Sequence, residues 1–240
     1  MAKLVILFNN SELQKLPSCS HVKAVFLRNQ SHKEWVLQGR SRSEGQYRLI
    51  KENMLDDKLK QQIFLEIAMP ICTREKVMLM HKFVQHGKTS CLEHSIAVAY
   101  NSFLMAEAMG TEYDRESLIR GGLLHDYFLY DWHKPHGRWH GFKHPAIALK
   151  NATRDFKLTE IEKNLIVRHM FPLVPIPPKN IEGGIVCMVD KWCSLKETFC
   201  SDIYKKDEMV QQIIKIVEIK LREEETREST VNISQRHVVL

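Results

Sequence analysis

Leu118-Ile-Arg-Gly-Gly-Leu-Leu-His-Asp126 is an apolar run that ends abruptly in an imidazole and a carboxylate. Its aliphatic side chains recur at helical spacing, and Gly121 and Gly122 lack the Cβ atoms that would keep a neighbouring helix at a distance. Asp114 stands where it can cap such a helix. A charged carboxylate at the end of a core helix is strongly unfavourable by itself, so Asp126 must pair, shift its pKa or bind a metal.

The same combination recurs outward along the chain. Ser90-Cys-Leu-Glu93 has the form of a capping box and opens a helix to about Met109, with His94 on the apolar side that carries Val98 and Met105. Thr159-Glu-Ile-Glu162 repeats the device and opens a helix that ends near Phe171, before Pro172, with His169 at its end. Asn180 can cap a helix from Ile181 to about Cys200, in which Asp190 follows Ile185-Val-Cys-Met-Val. His144 precedes Pro145, a natural first residue of another helix. A last amphipathic helix is expected from about Lys206 to Glu225, followed by a frayed polar tail.

Each of these ionisable groups has a simple explanation alone. A His at a helix end hydrogen-bonds the free carbonyls, and Asp190 pairs with Lys191. Taken together, four helices each bring an imidazole or a carboxylate on an apolar background. That donor set suits a divalent ion such as Fe, Mn, Co, Zn or Mg.

Composition fits this reading. The 240 residues are 44% hydrophobic and 27% charged, which excludes disordered and fibrous classes. Six cysteines are scattered without a Cys-x-x-Cys pair, so packing is expected rather than disulfides or a thiolate zinc site, with Cys187, Cys193 and Cys200 on one helical face. No apolar run reaches the length of a membrane span, and Leu4–Phe8 is too short for a signal core, so a cytoplasmic protein with no membrane partner is expected. The net charge of +6 lies wholly in residues 1–51, which hold nine Lys/Arg against three Glu. That segment is a candidate anchor for nucleic acid, although a solvated charged face explains it as well. Within it Lys3–Phe8, His21–Arg28, Lys33–Leu37 and Gln46–Lys51 have β-type content between turn residues, so a small β unit is expected. From Asn53 onward the pattern is helical. The division expected is a basic extension over 1–52, a helical domain over 53–228 and a polar tail over 229–240.

His94, the His125-Asp126 doublet and Asp190 resemble the H…HD…D signature of the HD-domain metal-dependent phosphohydrolases, and the resemblance covers about residues 75–200. It implies a mainly α HD-type helical bundle in which His94, His125, Asp126 and Asp190 hold a metal and Asp126 can bridge to a second. His144 and His169 match, by order and spacing, the further ligands of two-ion members, and so resemble the type that hydrolyses dinucleoside polyphosphates through a di-iron centre. Many relatives carry Lys three residues after the doublet; this chain has Leu129, and Asp131, His133 or Lys134 are the nearest replacements. Arg138, His140, Lys143 and Arg168 are candidates to hold phosphate oxygens. Asp126 is the expected catalytic residue, holding the ions while hydroxide attacks phosphorus. The implied function is hydrolysis of a phosphoester or phosphoanhydride of a nucleotide or dinucleotide. The alternatives are a nuclease anchored through residues 1–51 and a non-catalytic nucleotide-binding module. The last helix could serve a second copy in a homo-oligomer.

Overall fold

The computed structural model describes residues 25–28, 35–38, 44–131, 140–200 and 202–237. The chain divides into two compact units, Met1–Lys58 and Leu59–Leu240. In the first, β1 (Val25–Arg28) and β2 (Trp35–Gln38) pair antiparallel, with Val25 opposite Gln38 and Arg28 opposite Trp35. The expected small β unit is therefore present in two of its four segments. Gln46–Lys51 instead lies in helix α1 (Glu44–Cys72), which begins nine residues before Asn53. Extending a helix needs no new nucleus, so a short stretch with mixed preferences is drawn into the helix that follows it. Lys3–Phe8 lies outside the described residues.

The second unit is helical around a buried centre. After α1 come a one-turn helix α2 (Glu75–Met78), a 3-10 turn and a tight hairpin of β3 (Val84–His86) and β4 (Thr89–Ser90). The helices α3 (Cys91–Met109), α4 (Arg115–Leu124), α5 (His140–Asp155), α6 (Glu160–Arg168), α7 (Ile181–Phe199) and α8 (Glu208–His237) follow. Helix α3 is the hub, packing on α4, α7 and α8; α4 also packs on α6, and α6 on α5 and α7. The cause is visible in its residues: Ile96, Ala97, Val98, Ala99, Phe103 and Ala106 are wholly buried, so α3 is apolar around most of its circumference. Burying an aromatic or aliphatic side chain of that size contributes about 1.5–3 kcal/mol.

The two glycines of α4 are contact points, but not both with α3. A Cβ on Gly122 would lie 3.0 Å from the Ala99 Cα, whereas a Cβ on Gly121 would lie 2.8 Å from the Leu165 Cδ1 on α6. Helix α4 is therefore wedged between two neighbours. Three helix limits differ from expectation. Helix α5 begins at His140, which leaves Pro145 inside it, where Pro forgoes one hydrogen bond near the N-terminus. Helix α6 ends at Arg168, and α8 continues to His237. Cys187 and Cys193 are buried free thiols, but Cys200 is exposed because α7 has ended at Phe199. Among the described residues no helix is long and apolar enough to cross a membrane.

Candidate metal centre

Local rules place each candidate ligand. At the start of α3 the Ser90 hydroxyl accepts from the Glu93 amide over 3.2 Å, and Glu93 Oε2 accepts from the Ser90 amide over 2.8 Å. This reciprocal cap sets the helix start and puts His94 in its first turn, fully buried. His125 and His169 end α4 and α6 in the same manner. Each Nδ1 lies 2.7 Å from the carbonyl three residues back, Gly122 O and Ile166 O respectively. The last carbonyls of a helix lack intrahelical donors, and a carbonyl can only accept, so Nδ1 carries the proton and donates. The Nε2 lone pair of each ring is thereby left for another use. His94 follows the same rule with a different acceptor: its Nδ1 lies 2.9 Å from both carboxylate oxygens of Glu197, and Tyr204 donates to Glu197 Oε1 over 2.6 Å.

The structure brings all six expected metal residues together: His94, His125, Asp126, His144, His169 and Asp190, none more than 6% exposed. They fall into overlapping groups whose donor atoms lie within 4.8 Å of one another: His94, His125 and Asp126; His125, His169 and Asp190; Asp126, His144 and His169. Asp126 divides its oxygens between two of these groups. Its Oδ2 lies 3.4 Å from His125 Nε2 and 3.7 Å from His94 Nε2, while its Oδ1 lies 3.1 Å from His144 Nε2 and 3.5 Å from His169 Nε2. Asp190 Oδ1 lies 3.1 Å from His94 Nε2 and 3.6 Å from His125 Nε2, and Asp190 also groups with His125 and His169. Lys191 is no simple partner for Asp190. It lies 3.8 Å from Oδ2 and donates instead to the His169 carbonyl over 2.7 Å and the Cys187 carbonyl over 3.1 Å.

These residues fit a divalent ion. Donor atoms about 2.1 Å from one ion, at tetrahedral to octahedral angles, lie about 3.0–3.4 Å apart, close to the spacing of the first group. His125 Nε2 and Asp126 Oδ1 are buried without a hydrogen-bond partner. His144 Nε2 and His169 Nε2 are 2.8 Å apart, with the second a lone pair by the tautomer argument above. Lone pairs and carboxylate oxygens converging in this manner call for positive charge between them.

The electrostatics of the cluster say the same. Burial by itself would raise Asp126 and Asp190, but the surrounding imidazoles outweigh it and hold both well below the usual carboxylate range. Burial would likewise lower His94 and His125. Glu197 and Asp190 instead push His94 well up, and Asp126 and Asp190 push His125 up to about 9. In His169 burial and the nearby His125 prevail, and its pKa falls to about 3.

Of the four expected phosphate-holding residues, two can be placed. Lys143 is exposed beside His144, and Arg168 is half-buried beside His169 with its Nε buried and unpartnered. Arg138 lies outside the described residues, as do His133 and Lys134, and so does the side chain of His140. Leu129, standing where relatives carry Lys, is in the left-handed region at φ 59°, turning the chain away just after Asp126. Three residues at the centre escape the sequence reading: Glu197, Tyr204 and Gln85. Glu197 had a signal, since it lies seven residues after Asp190 on the helix face that also carries Cys193, and a carboxylate there is as anomalous as Asp190 itself. Gln85 and Tyr204 had none, because a three-residue strand and a single 3-10 turn carry no usable period.

The comparisons with known proteins agree with this geometry. The family model described as HD domain matches residues 91–193, which contain all six residues of the centre. None of the curated proteins matches the chain. Residues 91–193 thus carry an HD domain, which implies metal-dependent phosphohydrolase-type activity.

Proposed function

We propose that the protein cleaves a phosphoester or phosphoanhydride of a nucleotide or dinucleotide, using two divalent ions. The observation that carries this reading is the division of Asp126, one carboxylate oxygen facing His94 and His125 and the other facing His144 and His169. Divalent ions so held would lower the pKa of water from about 15.7 toward about 7 and offset charge on phosphoryl oxygens. The chain's own residues supply the rest. His94, His125, Asp126 and Asp190 would hold one ion, and Asp126, His144 and His169 the other. Hydrogen bonds at Nδ1 fix the rings of His94, His125 and His169, so that no rotamer search precedes binding. Arg168, whose guanidinium Nε has no partner, takes phosphate oxygens together with Lys143, and Arg138 and His140 share that duty. A His or Lys of the 131–144 segment protonates the leaving oxygen.

The test is a purified, metal-analysed protein screened against mononucleotides, dinucleoside polyphosphates and cyclic dinucleotides. Turnover of one class is expected, and Asp126→Ala is expected to lose metal and turnover together. An Asp126→Ala protein with full hydrolysis refutes the role given to this residue. The charge excess of residues 1–51 favours a second reading, cleavage of RNA or DNA. Its sign is polymer cleavage with a steep salt dependence that weakens when those residues are removed. Tight nucleotide binding without turnover marks a binding module instead.

A further inference from the structure

Gln85, on β3, is 4% exposed, and its Nε2 donates to Asp126 Oδ2 over 2.5 Å. Its Oε1 is buried without a partner. An amide kept inside a protein for packing normally satisfies both ends, because an unmade hydrogen bond on a buried carbonyl is costly. Here the end that is satisfied is the one on the Asp126 carboxylate. The hairpin that carries Gln85 also touches the centre elsewhere. The His86 ring stands edge-on to His94 with centroids 5.6 Å apart. Gly87, at φ 56°, comes so near α7 that a Cβ would lie 2.7 Å from the Glu197 carbonyl oxygen. The hairpin is thus pinned between the start of α3 and the end of α7, and Gln85 is presented to Asp126 from a fixed base.

We propose that Gln85 is a positioning residue for Asp126: it fixes the plane of that carboxylate, and so decides whether the second of two ions is retained. The inference rests on the two-ion reading above. Rotation about the terminal bond of an aspartate is soft, yet this carboxylate must present one oxygen to each of two imidazole pairs. The two groups do not depend on it equally. The Nε2 atoms of His94 and His125 also have Asp190 Oδ1, at 3.1 Å and 3.6 Å, whereas those of His144 and His169 face Asp126 Oδ1, at 3.1 Å and 3.5 Å. A carboxylate released from Gln85 can turn to suit the first group and abandon the second. A neutral donor is the right restraint, since Lys or Arg would add charge that repels a cation and Glu would set a second carboxylate against Asp126. Gln85 precedes the stretch matched by the family model, which starts at residue 91.

The test is calorimetric titration of chelator-stripped, full-length protein with Mn²⁺. Gln85→Met keeps the length and bulk of the side chain but has no donor. Gly87→Ala leaves Gln85 intact and displaces the hairpin that holds it. The wild type is expected to bind two Mn²⁺ per chain. Both variants are expected to keep the tighter ion and to weaken the other by about tenfold to a hundredfold, the range for losing an outer-shell partner. Gly87→Ala keeps the question open to measurement if Gln85→Met fails to fold. Two wild-type affinities in both variants overturn the proposal, as does an equal loss of both ions with a lowered Tm, which marks a purely structural role. A wild type with a single Mn²⁺ also overturns it while leaving a one-ion hydrolase intact. A wild type that takes up no Mn²⁺, Fe²⁺, Co²⁺ or Zn²⁺ ends both readings.

Discussion

At the scale of single residues, the cluster depends on groups that never touch a metal. His94 is oriented by Glu197, and Glu197 in turn accepts a hydrogen bond from Tyr204. A carboxylate on the far nitrogen fixes the tautomer and strengthens the ring as a donor, and loss of such a partner lowers metal affinity or activity by about tenfold to a hundredfold. Glu197→Gln keeps the shape and removes the charge. It is expected to weaken metal binding by that factor with little change in the circular dichroism spectrum, and unchanged metal affinity would show that His94 needs no such support. His125 and His169 use backbone carbonyls instead. Their orientation is built into the way their helices end and is harder to remove by substitution.

At the scale of elements, the centre is assembled by helix ends and close approaches. The first turn of α3, the C-terminal ends of α4 and α6, and the middle of α7 converge on it. The separation of α3 and α4 is set by Gly122 against Ala99, where an added Cβ would meet backbone atoms that cannot yield alone. Gly122→Ala is expected to destabilise the protein by about 1–3 kcal/mol, the usual cost of overpacking. It is also expected to weaken metal binding, because His94 sits on one of these helices and His125 on the other. Gly184 on α7 is the control, since a Cβ there meets nothing within 4 Å. In a helix interior Gly184→Ala is expected to be neutral or stabilising by up to about 1 kcal/mol. Thermal unfolding of both variants is the measurement, and an equal effect at the two positions would rule out the close-approach account.

At the scale of the whole molecule, the buried ionisable groups tie stability to pH in the chelated protein. His125 is raised from 6.5 to about 9, so its pairing contributes stability that is complete below 6.5 and is lost as pH rises through about 9. His169 is lowered from 6.5 to about 3, so its contribution is complete above 6.5 and is lost as pH falls toward 3. The chelated protein is therefore expected to be most stable near pH 6.5. Metal binding requires neutral imidazoles, so added Mn²⁺ is expected to raise the Tm more at pH 8 than at pH 6. A metal increment that shrinks as pH rises over that range would contradict the ligand set. Whereas His144 entered as a ligand only through the family resemblance, the helical class, the caps at Ser90 and Thr159 and the polar groups His94, His125, Asp126, His169 and Asp190 were legible in the sequence by itself. Each of these is a local signal, a polar group interrupting an apolar period or a hydroxyl three residues before a carboxylate, and local rules act over one helical turn. Only the tertiary structure decided that Asp126 divides its oxygens between two imidazole pairs, that Gly121 and Gly122 serve different neighbours, and that Gln85 and Glu197 hydrogen-bond Asp126 and His94. Those facts depend on the distance between segments that lie from 18 to 103 residues apart in the chain, and that distance is set by packing density at helix contacts rather than by any period along the chain.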